Sequence, residues 1–133
     1  MSVLTLEGLT VGYRNGRRRK QVLTGLDASL ESGTLVGLVG PNGVGKSTLL
    51  RTVAGLQLPL AGRVRILGRD LAGMRRDELA RRAAVVLTDQ VDPGRLTAAE
   101  VVGLGRHPHT GWSGRLTVTD RAVVSEALTA VRG

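Results

Sequence analysis

Residues 40–48 read Gly-Pro-Asn-Gly-Val-Gly-Lys-Ser-Thr, and this nonapeptide constrains the fold more than any other stretch of the chain. From Gly40 through Gly45, Lys46 and Ser47 the spacing satisfies G-x-x-x-x-G-K-[ST], a loop pattern that cradles phosphate. Its flanks suit that use. Leu35-Val36-Gly37-Leu38-Val39 is a short apolar run of the kind that forms a buried parallel strand. Ser47 to Ala54 reads as a helix stopped by Gly55. Strand, glycine loop and helix therefore follow in the order a phosphate-binding turn requires.

The residue types match the chemistry. A helix N-terminus offers unpaired N–H groups and the positive end of a dipole, and both favour an anion. Gly40, Gly43 and Gly45 let the backbone turn inward and come close to phosphate where a Cβ would obstruct it. Lys46 has the reach for β- and γ-phosphates, and the Ser47 hydroxyl is of the type that ligates Mg²⁺.

Composition narrows the remaining possibilities. The 133 residues suffice for one domain with its own core. Tyr13 and Trp112 are the sole aromatics, so that core is built from Val, Leu, Ile and Ala, as suits a parallel sheet flanked by helices. Absence of cysteine excludes disulfides and thiolate metal sites. No run approaches bilayer-spanning length, and the N-terminus lacks a signal-peptide pattern. The expected protein is soluble, or held at a membrane by a partner. Its net charge of +8 rests almost wholly on arginine, scattered apart from Arg17-Arg18-Arg19-Lys20 and the pairs Arg75-Arg76 and Arg81-Arg82. With so few aromatics to stack on bases, a solvated basic surface is favoured over a nucleic-acid patch.

Along the chain, Val3 to Val11 reads as a half-buried strand, Asn15-Gly16 as a hairpin turn, and Gln21 to Leu30 as a second strand with an irregularity at Gly25. Arg63 to Leu67 predicts a strand ended by Gly68, Arg75 to Arg82 a short polar helix, and Ala83 to Leu87 a buried strand finishing at Thr88-Asp89-Gln90. Thr97 with Glu100 forms a capping box for a helix that Pro108 and Gly111 interrupt. Thr119 or Asp120 is expected to cap a final helix carrying Val123, Val124, Ala127, Leu128 and Val131 at helical spacing. His107 and His109 lack nearby carboxylates and read as loop residues, as do Asp89 and Asp92.

These separated features resemble the N-terminal part of an ABC transporter ATP-binding subunit. The resemblance implies an α/β P-loop NTPase fold with an N-terminal antiparallel portion, parallel core strands flanked by helices, and an incomplete C-terminal half. Residues 1–133 would be one partial ATP-binding domain. The family's phosphate loop is matched by Gly40, Pro41, Asn42, Gly43, Val44, Gly45, Lys46, Ser47 and Thr48. Tyr13 falls where the family stacks an aromatic on adenine. Gln90 falls at its Q-loop, where it would contact Mg²⁺ or the attacking water and couple to a membrane partner; here Thr88-Asp89 precedes it instead of the commoner apolar-Pro. Lys46 and Gln90 would then be the catalytic residues, and Ser47 and Gln90 the metal ligands. ATP and Mg²⁺ are the implied cofactors, and the implied partners are transmembrane permease subunits and a second ATPase subunit. The implied location is the inner face of the cell membrane. Val101 to Pro108, Gly114-Arg115-Leu116 and Thr119-Asp120 are similar to importers of iron–siderophore, haem or cobalamin-type ligands.

The 133 residues contain no Leu-Ser-Gly-Gly-Gln-type signature, no apolar strand ending in Asp-Glu, and no switch histidine after it. The chain alone is therefore expected to bind ATP weakly and scarcely to turn it over. Two alternatives stay open: a non-catalytic nucleotide-binding module, or an ABC-type ATPase acting on nucleic acid.

Overall fold

A computed structural model describes residues 1–90 and 92–132, in two compact units divided between Ala84 and Val85. The first unit is built on a four-stranded antiparallel sheet. Strands β1 (Ser2–Asn15) and β2 (Arg18–Glu31) form a hairpin, and β3 (Ala61–Ile66) and β4 (Arg69–Asp70) follow in the order β2-β1-β3-β4. Helix α1 spans Lys46–Val53 and α2 spans Arg76–Ala80.

The hairpin turns where Asn15-Gly16 predicts it. Asn15 pairs with Arg18, and Gly16 takes a φ of 59° that suits a tight two-residue connection. Arg17 to Lys20 lie exposed there, as expected. Along β1 the side-chain alternation slips once. Leu4 and Leu6 face inward, the register shifts beyond Leu6 at Gly8 (φ 51°), and Leu9 and Val11 then face inward again. The extra residue keeps four apolar side chains on one face of a strand whose sequence alternates only in part. Gly25 (φ 61°) marks the matching irregularity in β2, where Leu26 pairs with Leu9 and Leu23 with Val11.

That face is the core. Leu6, Leu9, Val11 and Val64 are buried, and Leu49 and Val53 of α1 pack against them with Leu23, Leu26 and Leu71. The helix ends as Gly55 predicts. Gly55 (φ 75°) donates to the Thr52 carbonyl at 3.1 Å and Leu56 to that of Arg51 at 2.9 Å, the paired bonds of a Schellman motif. Strand β4 escapes the sequence reading because its turn is Leu67-Gly68, both at positive φ, and leucine there gives no turn signal.

One expectation needs correction. Leu35–Val39 and Ala83–Leu87, read as buried parallel strands, belong to no sheet among the described residues. Leu35, Val39 and Val86 are 101%, 93% and 97% exposed. Apolar composition makes a segment suited to burial, but a parallel strand needs neighbours, and the sheet of the first unit is antiparallel throughout. Exposed apolar runs with open backbone groups favour association between chains. Light scattering on the pure chain is expected to show self-association that Val36→Lys and Val39→Lys together reduce; a monodisperse unsubstituted monomer would contradict this.

The second unit contains α3 (Ala98–Gly103), a 3₁₀ turn over Leu104–His109 that includes Pro108, and α4 (Val118–Val131). The Thr97–Glu100 capping box forms as predicted, and the Thr97 amide lowers the pKa of the Glu100 carboxyl. The cap of α4 is Thr117, not Thr119 or Asp120; Asp120 is its capping-box partner. Thr117 also stands three residues before an acid, so the local pattern alone did not choose between neighbours. Of the apolar positions on α4, Val124 is buried, whereas Val131 is 82% exposed.

Asp120 is 2% exposed, with Oδ2 accepting from the Thr117 amide at 2.8 Å and Oδ1 from Arg106 Nε at 2.8 Å. The backbone bond and then the guanidinium hold its pKa down to about 2. A carboxylate depressed in the folded state stabilises above its unfolded pKa, about 3.9, and that contribution is lost as pH falls. Asp120→Asn should therefore destabilise the chain at neutral pH, and the deficit should shrink between about pH 4 and pH 2. Denaturant melts across that range check it; a deficit independent of pH would contradict it.

Candidate functional site

The loop before α1 folds as its glycines require. Gly43 has a φ of 82° and Gly45, the residue preceding the helix, a φ of 113°. At Gly45 steric crowding adds to the dihedral demand. A Cβ there would come within 2.3 Å of Val22 Cγ1 and 3.2 Å of Leu23 Cγ. Only glycine lets the loop rest on β2 in that conformation.

The start of α1 is electrostatically open. No side chain caps it and no acid stands in its first turn, whereas α3 and α4 each begin with a complete capping box. The first amides of α1 thus lack both an intrahelical acceptor and a side-chain cap. Lys46 adds a positive charge at the same place. Its Nζ donates to the carbonyls of Gly40 and, at 2.7 Å, Pro41, so the ammonium spans the loop. Unpaired donors, a helix dipole and an ammonium converge on one exposed mouth, an arrangement suited to a polyanion.

Tyr13 lies beside this mouth. Its Oη is 2.8 Å from Thr48 Oγ1, joining β1 to the first turn of α1 across 35 residues of sequence. Thr48 is buried, whereas Tyr13 keeps half its surface exposed. The hydroxyl is anchored and the side chain remains partly open to a planar ligand. Ser47, next in the turn, is exposed. The first unit therefore brings together Tyr13 and the whole loop from Gly40 to Thr48.

Gln90 lies in the second unit, exposed and three residues beyond Leu87. Asp92 serves the loop, as its sequence setting suggests, with Oδ1 accepting from the Gly94 amide at 2.9 Å. His107 and His109 are exposed on the 3₁₀ turn, and no cluster of three potential metal ligands occurs among the described residues. Val22, which supports Gly45 from below, escapes the sequence reading because nothing local distinguishes it from any other strand valine. Several arginines have acidic partners: Arg75 and Arg81 pair with Asp77, Arg69 and Arg82 with Glu78, Arg65 with Glu7, and Arg63 with Asp70. Such pairing fits the solvated basic surface.

A loop with the G-x-x-x-x-G-K-[ST] spacing opening an uncapped helix that packs on a sheet defines a P-loop protein. Residues 23–133 match the sequence model described as ABC transporter, and the chain belongs to that family. It is 45% identical over 125 residues to a cobalamin import ATP-binding protein of Halobacterium salinarum, covering 94% of this chain and 30% of that protein. It is 40% identical over 129 residues to an uncharacterized ABC transporter ATP-binding protein of Methanocaldococcus jannaschii, covering 97% of this chain and 43% of that one. Among solved structures, a dimeric ATP-binding cassette in a post-hydrolysis state bound to ADP and Pi superposes with a TM-score of 0.71 at 27% identity. The match covers 95% of this chain and 56% of the cassette. The chain thus spans less than half the length of these two curated relatives. No helix among the described residues is long and apolar enough to cross a membrane.

Proposed function

We propose that the chain is the ATP-binding portion of an ABC importer subunit, the subunit coupling ATP binding and hydrolysis to uptake of a metal chelate such as iron–siderophore. The observation that carries this reading is the uncapped start of α1 with the Lys46 ammonium across its mouth. In this assignment the amides of Gly43 to Thr48 and Lys46 hold the β- and γ-phosphates. Ser47 ligates Mg²⁺, which offsets phosphate charge when bound. Tyr13 stacks on the adenine, its position fixed through Thr48. Gln90 serves Mg²⁺ or the attacking water and the link to the permease. Cobalamin is itself a metal chelate, so the named importer among the relatives supports the substrate class. A second ATPase subunit and a transmembrane permease complete the proposed assembly at the inner membrane face.

Calorimetric titration tests the nucleotide assignment. Saturable ATP binding strengthened by Mg²⁺ is expected, with Ser47→Ala losing the Mg²⁺ effect but keeping metal-free binding. Absence of ATP binding to the folded chain would refute it.

A further inference from the structure

The basic tip of the β1–β2 hairpin differs from the other arginine-rich segments. No ion pair or side-chain hydrogen bond among the described residues engages Arg18 or Lys20, and both are exposed. Two positive charges are thus held on a two-stranded ribbon without a partner of opposite sign.

Register fixes the face they occupy. Opposed residues of an antiparallel pair share a face, and alternate residues along a strand return to it. Tyr13 stands opposite Lys20 and Asn15 opposite Arg18, which places Tyr13, Lys20 and Arg18 on one face. That face meets the glycine loop at two separate points. Tyr13 Oη touches Thr48 Oγ1 at 2.8 Å. Val22, two residues from Lys20 on the same strand, lies against Gly45, where an added Cβ would fall 2.3 Å from its Cγ1.

These contacts give the face a direction. Val22 marks the phosphate end and Tyr13 the base end, and Lys20 sits directly across from Tyr13. Val22 is the extra residue where the register shifts between the Gly12–Gln21 and Val11–Leu23 pairs. It stands two residues from Lys20, at most about 6.8 Å along the strand and within the reach of a lysine side chain. Resting on the nucleotide assignment above, we infer that Lys20 is a further nucleotide-binding residue whose ammonium meets the α-phosphate, between the stacked base and the loop-bound β- and γ-phosphates. Lysine suits this position because its compact charge on a flexible stem needs no bidentate geometry. Arg18, one repeat further out, adds attraction at longer range.

Titration of the full chain with ATP, ADP and adenosine, for the wild type, Lys20→Met, Lys20→Arg and Lys46→Ala, tests the inference. Lys20→Met should weaken ATP and ADP by about three- to tenfold, a modest effect because the site is open to solvent. Lys20→Arg should restore most of that affinity, and adenosine should bind all Lys20 variants alike. Unchanged ATP affinity in Lys20→Met, with a clear loss in Lys46→Ala, would overturn this inference and leave the nucleotide assignment standing. An equal loss for adenosine would also overturn it, placing the ammonium on the tyrosine ring or base. No loss in either variant would overturn both. Circular dichroism confirms that the variants fold.

Discussion

Given ATP and Mg²⁺, the pure 133-residue chain is expected to release phosphate at least about 10²–10⁴-fold more slowly than a cassette that carries its own general base. Phosphoryl transfer asks the protein mainly for positioning and charge stabilisation, and each missing element costs rate directly. The first unit offers uncapped amides and the Lys46 ammonium at the loop mouth, and the first turn of α1 holds no acid. The chain does contain one Asp-Glu pair, Asp77-Glu78. It opens α2 and is engaged elsewhere, with Asp77 bound to Arg75 at 3.0 Å and Glu78 to Arg82 at 3.1 Å. Both carboxylates are thus committed to neighbouring guanidinium groups on and beside α2. A closing surface is needed as well, to exclude water and orient the nucleophile. A phosphate-release assay with the isolated chain checks this. Turnover at the level of a full cassette would show that an unassigned group acts as base.

The largest effect on binding should come from Lys46. Lys46→Ala is expected to weaken ATP by about 10- to 100-fold, the range for deleting a hydrogen bond to a charged group. The ammonium already bridges the carbonyls of Gly40 and Pro41, so it is placed before any ligand arrives and little ordering is required on binding. The same change should leave adenosine affinity unaltered, since adenosine has no phosphate to lose. Calorimetry with ATP and adenosine in parallel provides the check. Equal affinity for ATP in the variant would remove the ammonium from the site.

Much of the fold is legible in the sequence where the signal is local. The Asn15-Gly16 turn, the span of α1 and its stop at Gly55, and the Thr97–Glu100 cap are each set by a few adjacent residues. The glycine loop is legible for the same reason. Features that depend on distant residues are not. The Tyr13–Thr48 hydrogen bond and the Val22 support beneath Gly45 arise only once the hairpin folds over the loop. The Arg106–Asp120 pair joins residues 14 apart, and the sequence offers several other carboxylates. The runs at Leu35–Val39 and Val85–Leu87 show the opposite limit. Their composition suits burial, yet whether they become strands depends on neighbours that no local pattern specifies.

Backbone amide NMR of the chain, titrated separately with ATP, ADP and adenosine, tests the placement of the phosphates most directly. The amides of Gly43, Gly45, Lys46 and Ser47 should shift most, with ATP and ADP but not with adenosine. If adenosine shifted them as strongly, or if ATP moved only residues remote from this loop, polyphosphate would not be held at the start of α1.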